Sequence, residues 1–213
     1  MKYKNLIFDL GNVLVRLDEA GAREAFARLG LSPLLDTRHH PEGMQLLQAL
    51  TLGNVSTAQF CEQVRQITRQ DVVDSQIVEA ANRMLVEIPD RKKALLLKLR
   101  QQGHRVFLLS NTVDIHWDYC VERLFPYQGH GVDDYFEQVF LSQRLHLAKP
   151  DARIFNEVIR QTGIVPGDTL FIDDLPDNCE AARRLGIHVF QNVSFDAWLS
   201  LFDDTASSGS LSV

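Results

Sequence analysis

The chain has 213 residues, and its 28 acidic against 22 basic side chains leave a net charge of -6, which gives a nucleic-acid partner no electrostatic support. Its 45% apolar and 23% charged content is that of a globular protein and excludes disordered, collagen-like and low-complexity chains. No apolar run approaches the roughly 20 residues of a membrane-spanning helix, and no secretory signal is legible at the N-terminus. Cys61, Cys120 and Cys179 are far apart and form no CxxC pair. Neither a zinc site nor a disulfide framework is expected, and a reducing, cytoplasmic setting fits best. The length suits one domain, or a core with an insert, with a monomer or weak dimer as the default.

In chain order, Asn5 to Val13 opens with the apolar run Leu6-Ile7-Phe8. Such a run reads as a strand buried on both faces of a parallel sheet, and Gly11-Asn12 mark its end. Helical signals then follow one another: Ala20 to Leu29, Met44 to Leu50, Ser56 to Ile67, and Ile77 to Val86, punctuated by Pro41-Glu42-Gly43 and Gly53-Asn54. Residues 17–88 are expected to form a small helical insert without strands. His39-His40, adjacent and unable to converge easily on one ion, are read as its surface.

From Pro89 the pattern becomes α/β. Asp90 is expected to cap a helix from Arg91 to Gln102, with Gly103 as its stop. Strands are expected at Arg105–Leu109, Gln138–Leu141, Thr169–Ile172 and His188–Phe190, with helices over Ala152–Thr162, capped by Asp151, and Asn178–Leu185. Alternation of this kind predicts a parallel sheet covered by helices on both faces. Trp117 and Tyr119 are read as packing residues, and 205–213 as a polar, mobile tail.

Chemistry collects just past the C-terminal ends of the expected strands, the edge where open parallel sheets bind ligands. Asp9 follows the first strand, Ser110-Asn111-Thr112 the second, and Asp173-Asp174 the fourth; Lys149 precedes Pro150. Taken singly, each has a structural reading: Asp9 as a turn residue, Ser110 and Asn111 as helix caps, Lys149 as a solvated lysine, Asp173-Asp174 as caps of the following helix. Together they are harder to dismiss. Three carboxylates repel one another unless a cation is present, and hard oxygen ligands suit Mg²⁺, which accepts substrate phosphate. A lysine charge, a hydroxyl and a carboxylate nucleophile complete a site for phosphoryl transfer.

Asp9-Leu10-Gly11-Asn12-Val13, Ser110-Asn111-Thr112, Lys149-Pro150 and Asp173-Asp174 resemble, in order, the four motifs of the haloacid dehalogenase (HAD) superfamily. The pattern is most similar to sugar-phosphate phosphatases of the bacterial glucose-1-phosphate phosphatase type. Gly103-His104-Arg105-Val106, Leu141-Ser142-Gln143 and Asp177-Asn178 add to that likeness. The resemblance implies a Rossmann-like core, 1–16 plus 89–204, with the helical insert 17–88 as a cap over the site. It implies that Asp9 attacks phosphorus, Ser110 binds the phosphoryl group, Lys149 steadies its charge and Asn111 helps to position it. Mg²⁺ would be held by Asp9, the Gly11 carbonyl and Asp174, with Asp173 acting directly or through water.

The sequence departs from the superfamily at Gly11, where most of its phosphatases carry an aspartate as general acid. Asp18 and His116 are the two possible replacements, histidine because it titrates near neutrality; their plainer readings are a helix cap and a half-buried histidine. The function expected is a Mg²⁺-dependent phosphatase of small phosphorylated metabolites, most of all sugar phosphates. The alternatives are a metal-independent 2-haloacid dehalogenase, against which Asp173-Asp174 count, and a catalytically weak phosphate-binding regulator, which only Gly11 supports.

Overall fold

The structure is a computed structural model that describes residues 3–36 and 41–203. His39-His40 and the tail 205–213 lie outside the described residues. Strand β1 (Asn5–Phe8) passes through a tight loop into β2 (Arg16–Leu17). Helices α1 (Glu19–Arg28), α2 (Pro41–Thr51), α3 (Thr57–Thr68) and α4 (Asp74–Asn82) follow, then β3 (Leu85–Glu87). The alternating part comprises α5 (Asp90–Gln101), β4 (Arg105–Ser110), α6 (Asp114–Tyr119), α7 (Val132–Tyr135), β5 (Gln138–Leu141) and α8 (Ser142–Leu145). It ends with α9 (Ala152–Thr162), β6 (Thr169–Asp173), α10 (Pro176–Arg184) and β7 (His188–Gln191).

The fold is α/β: a five-stranded sheet of order β5-β4-β1-β6-β7 whose neighbours all pair in parallel. Side chains alternate across it, as strand geometry requires. Leu6, Phe8, Val106, Leu108, Leu170 and Ile172 face one apolar cluster with Leu96 and Leu99 of α5 and Trp198. Ile7, Phe107, Leu109 and Phe171 face another, with Ile154, Phe155 and Val158 of α9 and Ala182 of α10. A third cluster, from Phe26 through Leu46, Phe60 and Ile77, belongs to the four helices of the insert and takes in Ile115 of α6.

Local chemistry explains most boundaries. Ser56 and Gln59 form a reciprocal capping box that starts α3. The Asp151 carboxylate accepts from the Arg153 N–H at the start of α9, and Gly163, in the left-handed region at φ 65°, ends it.

Four expectations are corrected. The insert is not strand-free: β3 pairs antiparallel with β2, making a two-stranded neck where the chain leaves and re-enters the sheet domain. The helix expected over Ile77 to Val86 therefore stops at Asn82, and Val86 lies in β3. Pro41 and Gly43 sit inside α2 rather than before it; Pro41 supplies the first turn, and a Cβ at Gly43 would lie 2.2 Å from the Leu34 carbonyl oxygen, so that close approach requires glycine. Asp90 is the first residue of α5, not its side-chain cap, and its carboxylate instead pairs with Lys93 Nζ at 2.9 Å. Trp117 is buried, as expected of a packing residue. Among the described residues no helix is long and apolar enough to cross a membrane.

Candidate active site

The register of the sheet sets the site. Phe8 of β1 is level with Leu108 of β4 and with Ile172 of β6, so the next residues, Asp9, Leu109 and Asp173, emerge together at the C-terminal edge. The Asp9 N–H donates to the Ile172 carbonyl at 2.9 Å, which keeps Asp9 aligned with the sheet. Beyond it the chain turns sharply. The Leu14 and Val15 N–H groups both donate to the Leu10 carbonyl, and Asn12 takes a left-handed conformation, φ 51°.

Lys149 lies at the centre of the cluster. Its ammonium donates to Asp9 Oδ1 at 2.8 Å, to Asp173 Oδ2 at 2.7 Å and to the Leu109 carbonyl at 2.9 Å, so all three N–H groups are used. Burial alone would lower its pKa, but the two carboxylates in contact reverse that, and the ammonium is held above the ordinary lysine value. Burial pushes the Asp9 carboxyl up to about 7; Lys149 pulls it the other way, and Asp173 adds repulsion. Asp174 is also raised, by burial first and then by the Asp173 charge, against a hydrogen bond from Asn12 Nδ2 at 3.2 Å. Carboxylate oxygens of Asp9, Asp173 and Asp174 lie within 4.8 Å of one another. Three carboxylates face one ammonium there, a deficit of positive charge that suits a hard divalent cation.

The remaining residues divide. Ser110 ends β4 at the same edge and is buried. Asn111 does not aim its amide at open space: Nδ2 donates to the Lys149 carbonyl and Oδ1 accepts from the Lys149 N–H, both at 2.8 Å, so it clamps the lysine's own peptide group. Gly11 pairs with Val15, and a Cβ built on it would meet Leu17 Cδ1 at 3.0 Å, so Leu17 crowds the place where an acidic side chain would start. Asp18 caps α1, its carboxylate accepting from the Gly21 N–H at 2.9 Å. It lines an open depression of about 690 Å³ between α1, α4 and Tyr119, to which none of the Asp9 cluster contributes. His116 lines a second cleft, of about 560 Å³, together with Asn111 and Thr112, and none of the Asp9 cluster lines that one either. Its Nε2 is 3.1 Å from the Ala81 carbonyl, an acceptor, so that nitrogen carries the proton. Burial holds His116 below the ordinary histidine value, with that hydrogen bond opposing.

Three supporting side chains had no task in the sequence pattern. Ser142 Oγ accepts from the Thr112 N–H at 3.0 Å and donates to the Thr112 carbonyl at 3.1 Å, fixing the loop after β4. Asn178 Nδ2 lies 3.0 and 3.1 Å from the two oxygens of Asp173 and orients that carboxylate. Asn192 Nδ2 donates to the Asn12 carbonyl at 2.9 Å and pins the turn after Asp9. Ser142 and Asn178 stood within motifs; the Thr112–Ser142 and Asn12–Asn192 contacts span 30 and 180 residues and leave no local trace, whereas Asn178 is five residues from Asp173, in the helix that follows it.

Comparisons with known proteins bear on the fold and the family. A D-ribitol-5-phosphate phosphatase of Bacteroides thetaiotaomicron is 32% identical over 198 residues, 92% of this chain and 94% of that protein. A crystal structure of a HAD family enzyme from Bacteroides thetaiotaomicron superposes with a TM-score of 0.92 at 38% identity, over 96% of this chain and all of that one. A wild-type complex of such an enzyme with magnesium and inorganic phosphate gives 0.87 at 39% identity, over 94% and 100%. An L-2-haloacid dehalogenase from Xanthobacter autotrophicus shares the fold alone, at a TM-score of 0.59 and 15% identity over 89% of this chain and 77% of that one. The family model described as haloacid dehalogenase-like hydrolase matches residues 3–186, and the chain belongs to that family.

Proposed function

We propose that the protein is a Mg²⁺-dependent phosphoric monoester hydrolase acting on small phosphorylated metabolites, with sugar and polyol phosphates as the class its relatives favour. The observation that carries this reading is the Lys149-bridged pair of Asp9 and Asp173, with Asp174 beside it, on the ligand-binding edge of the sheet. Asp9 is the nucleophile: its carboxylate attacks phosphorus, the alcohol leaves, and water then cleaves the phosphoaspartate. Lys149 offsets the charge that develops on the transferred group, and the Ser110 hydroxyl holds one of its oxygens. Asn111 acts one step back, by fixing the peptide from which Lys149 projects. Asp9, Asp174 and the Gly11 carbonyl would hold Mg²⁺, with Asp173 direct or through water. The bound ion would neutralise substrate phosphate among the carboxylates.

Residues 1–16 with 89–204 act as the core and 17–88 as a cap that excludes bulk water. Two histidines of the core reach the insert: His116 to the Ala81 carbonyl and His146 Nδ1 to the Leu52 carbonyl at 2.7 Å. With Gly11 unable to give a proton and Asp18 spent on a helix cap, His116 is the one of the two candidate acids that remains, and only if its bond to Ala81 opens. Esters of acidic alcohols are therefore the easier substrates. Three buried free cysteines suit the reducing cytoplasm, where the chain would work as a monomer or weak dimer. A metal-free dehalogenase has no use for Asp174 beside Asp173, and the regulatory alternative rests on Gly11 alone.

The test is hydrolysis of p-nitrophenyl phosphate, whose leaving group needs no acid, by the wild type and Asp9→Asn, each with Mg²⁺ and with EDTA. Turnover that requires both Mg²⁺ and Asp9 is expected. Absence of turnover in every condition would sink the phosphatase reading, and halide release from a 2-haloacid would put the dehalogenase in its place.

A further inference from the structure

The cleft above Asn111 and Thr112 does not look like a sugar site. Its walls are Phe26, Leu34, Leu47, Leu50, Phe60 and Met84 of the insert, with Val113 and Ile115 from the core. Its charged members, Glu19 and Arg23, pair with each other at 3.8 Å and are about two-thirds exposed, so they stand at the rim. Several of the polar groups inside are already engaged: Asn111 with both peptide groups of Lys149, His116 Nε2 with the Ala81 carbonyl, Thr51 Oγ1 with the Leu47 carbonyl. A polyol placed there would bury several hydroxyls with few partners left to meet them, which is unfavourable. A hydrocarbon body would meet carbon on nearly every side. At about 560 Å³ the cleft is of the size that takes a small organic ligand.

None of Asp9, Ser110, Lys149, Asp173 and Asp174 lines this cleft, but its Asn111 and Thr112 follow directly on the site along the chain. Ser110 immediately precedes Asn111, and Asn111 clamps Lys149, whose ammonium touches Asp9. We infer that the cleft is a subsite for the alcohol portion of the substrate, and that it extends the enzyme's range to monophosphate esters of apolar alcohols, alkyl or aryl. This rests on the phosphatase reading above and specifies the leaving group it accepts.

The test is a series in which the hydrocarbon grows while the acidity of the leaving phenol scarcely changes: phenyl, 4-ethylphenyl and 4-butylphenyl phosphate at saturating Mg²⁺. kcat/KM should rise about fourfold for each methylene the cleft covers, as burial of hydrocarbon predicts. Met44 also lines the cleft and is half exposed, so its replacement does not threaten the fold. Met44→Glu should lower kcat/KM for the butyl ester about tenfold and flatten the series, and Met44→Leu should restore the slope. A flat or falling series in an enzyme that turns over phenyl phosphate would overturn the subsite and leave the phosphatase reading intact. An unchanged slope in Met44→Glu would overturn it equally. No turnover of any ester would remove both, a result distinct from either.

Discussion

Two buried lysines, Lys149 at the C-terminal edge of the sheet and Lys92 in the first turn of α5, carry the same ammonium into different surroundings. Lys149 is 5% exposed and touches two carboxylates, at 2.7 and 2.8 Å. Lys92 is fully buried and reaches the Val13 and Phe195 carbonyls at 2.5 Å, with the Phe195 ring 3.1 Å away and its nearest carboxylate, Asp196, at 3.5 Å. Their titration separates accordingly. Lys149 is held above the ordinary value, whereas burial pushes Lys92 down to about 7, with Asp196 opposing. Burial is common to both, so it is the contact with full opposite charge that keeps an ammonium charged inside this protein. At the sheet edge that charge would serve the proposed phosphoryl transfer. At α5 the amine ties the turn after Asp9 to the segment around Phe195, and Val13 receives a second bond there from Trp198 Nε1 at 2.9 Å.

Lys149→Met gives the largest effect. Removing one partner of a buried ion pair costs about 3–5 kcal/mol, and here it leaves Asp9 and Asp173 facing each other. Unfolding in urea at pH 8 without metal should show that loss, and Mg²⁺ should restore part of it by supplying positive charge. Turnover should fall by about 10²–10³-fold, the scale of losing one charge-stabilising donor. A stability loss below about 1 kcal/mol, the scale of an exposed pair, would break the comparison, since Lys149 would then behave as a surface lysine does.

Lys92→Met comes second and carries a pH dependence. Lys92 binds its proton with a pKa of about 7 in the folded chain, against an ordinary 10.5 when unfolded. Between those values the unfolded state holds more protons, so wild-type stability should rise with pH. The cost of burying the charged amine is complete below about pH 7 and is relieved as the pH climbs towards 10. Melting temperatures of both proteins at pH 6.5, 8 and 9.5 test this. The wild type should gain on the variant as pH rises, by about 2–4 °C for each kcal/mol in a chain of this size. A constant difference would mean that the two carbonyls and the Phe195 ring keep Lys92 charged throughout.

The same contrast shows what was legible in the sequence. The run Leu6-Ile7-Phe8 and its counterparts in β4, β5, β6 and β7 declare strands because continuous apolar residues suit a two-sided sheet. Asp9 and Asp173-Asp174 could be picked out because charged residues directly after such runs are costly to place there without a purpose, and Lys149 by its place before Pro150 in the ordered set of motifs. The neck β2–β3 was illegible: two and three residues cannot display a period, and Leu85-Val86 extend the helical pattern of α4 as readily as they form a strand. Lys92 was illegible for another reason. It follows Arg91 and precedes Lys93 in a sequence that reads as a solvated helix face, and nothing local reveals that Val13 and Phe195 close over it. The clamp of Asn111 on Lys149 spans 38 residues and is equally invisible before folding.

The smallest effect is the sharpest test of the comparison. Asp196 holds Arg91 at 2.5 Å with one oxygen and stands 3.5 Å from Lys92 with the other, and its side chain is 40% exposed. Asp196→Asn should change stability at pH 7 by less than about 1 kcal/mol, because the close pair it breaks, with Arg91, is exposed on both sides and Lys92 stands 3.5 Å off. It removes the carboxylate that opposes the effect of burial on Lys92, so the amine should lose its proton at a lower pH. The rise of melting temperature with pH should then begin below its wild-type onset. An unmoved onset would show that a carboxylate at 3.5 Å, open to solvent on one side, contributes nothing to the charge of Lys92. The distinction between the two lysines would then rest wholly on direct contact inside the protein, which Lys149 has twice and Lys92 lacks.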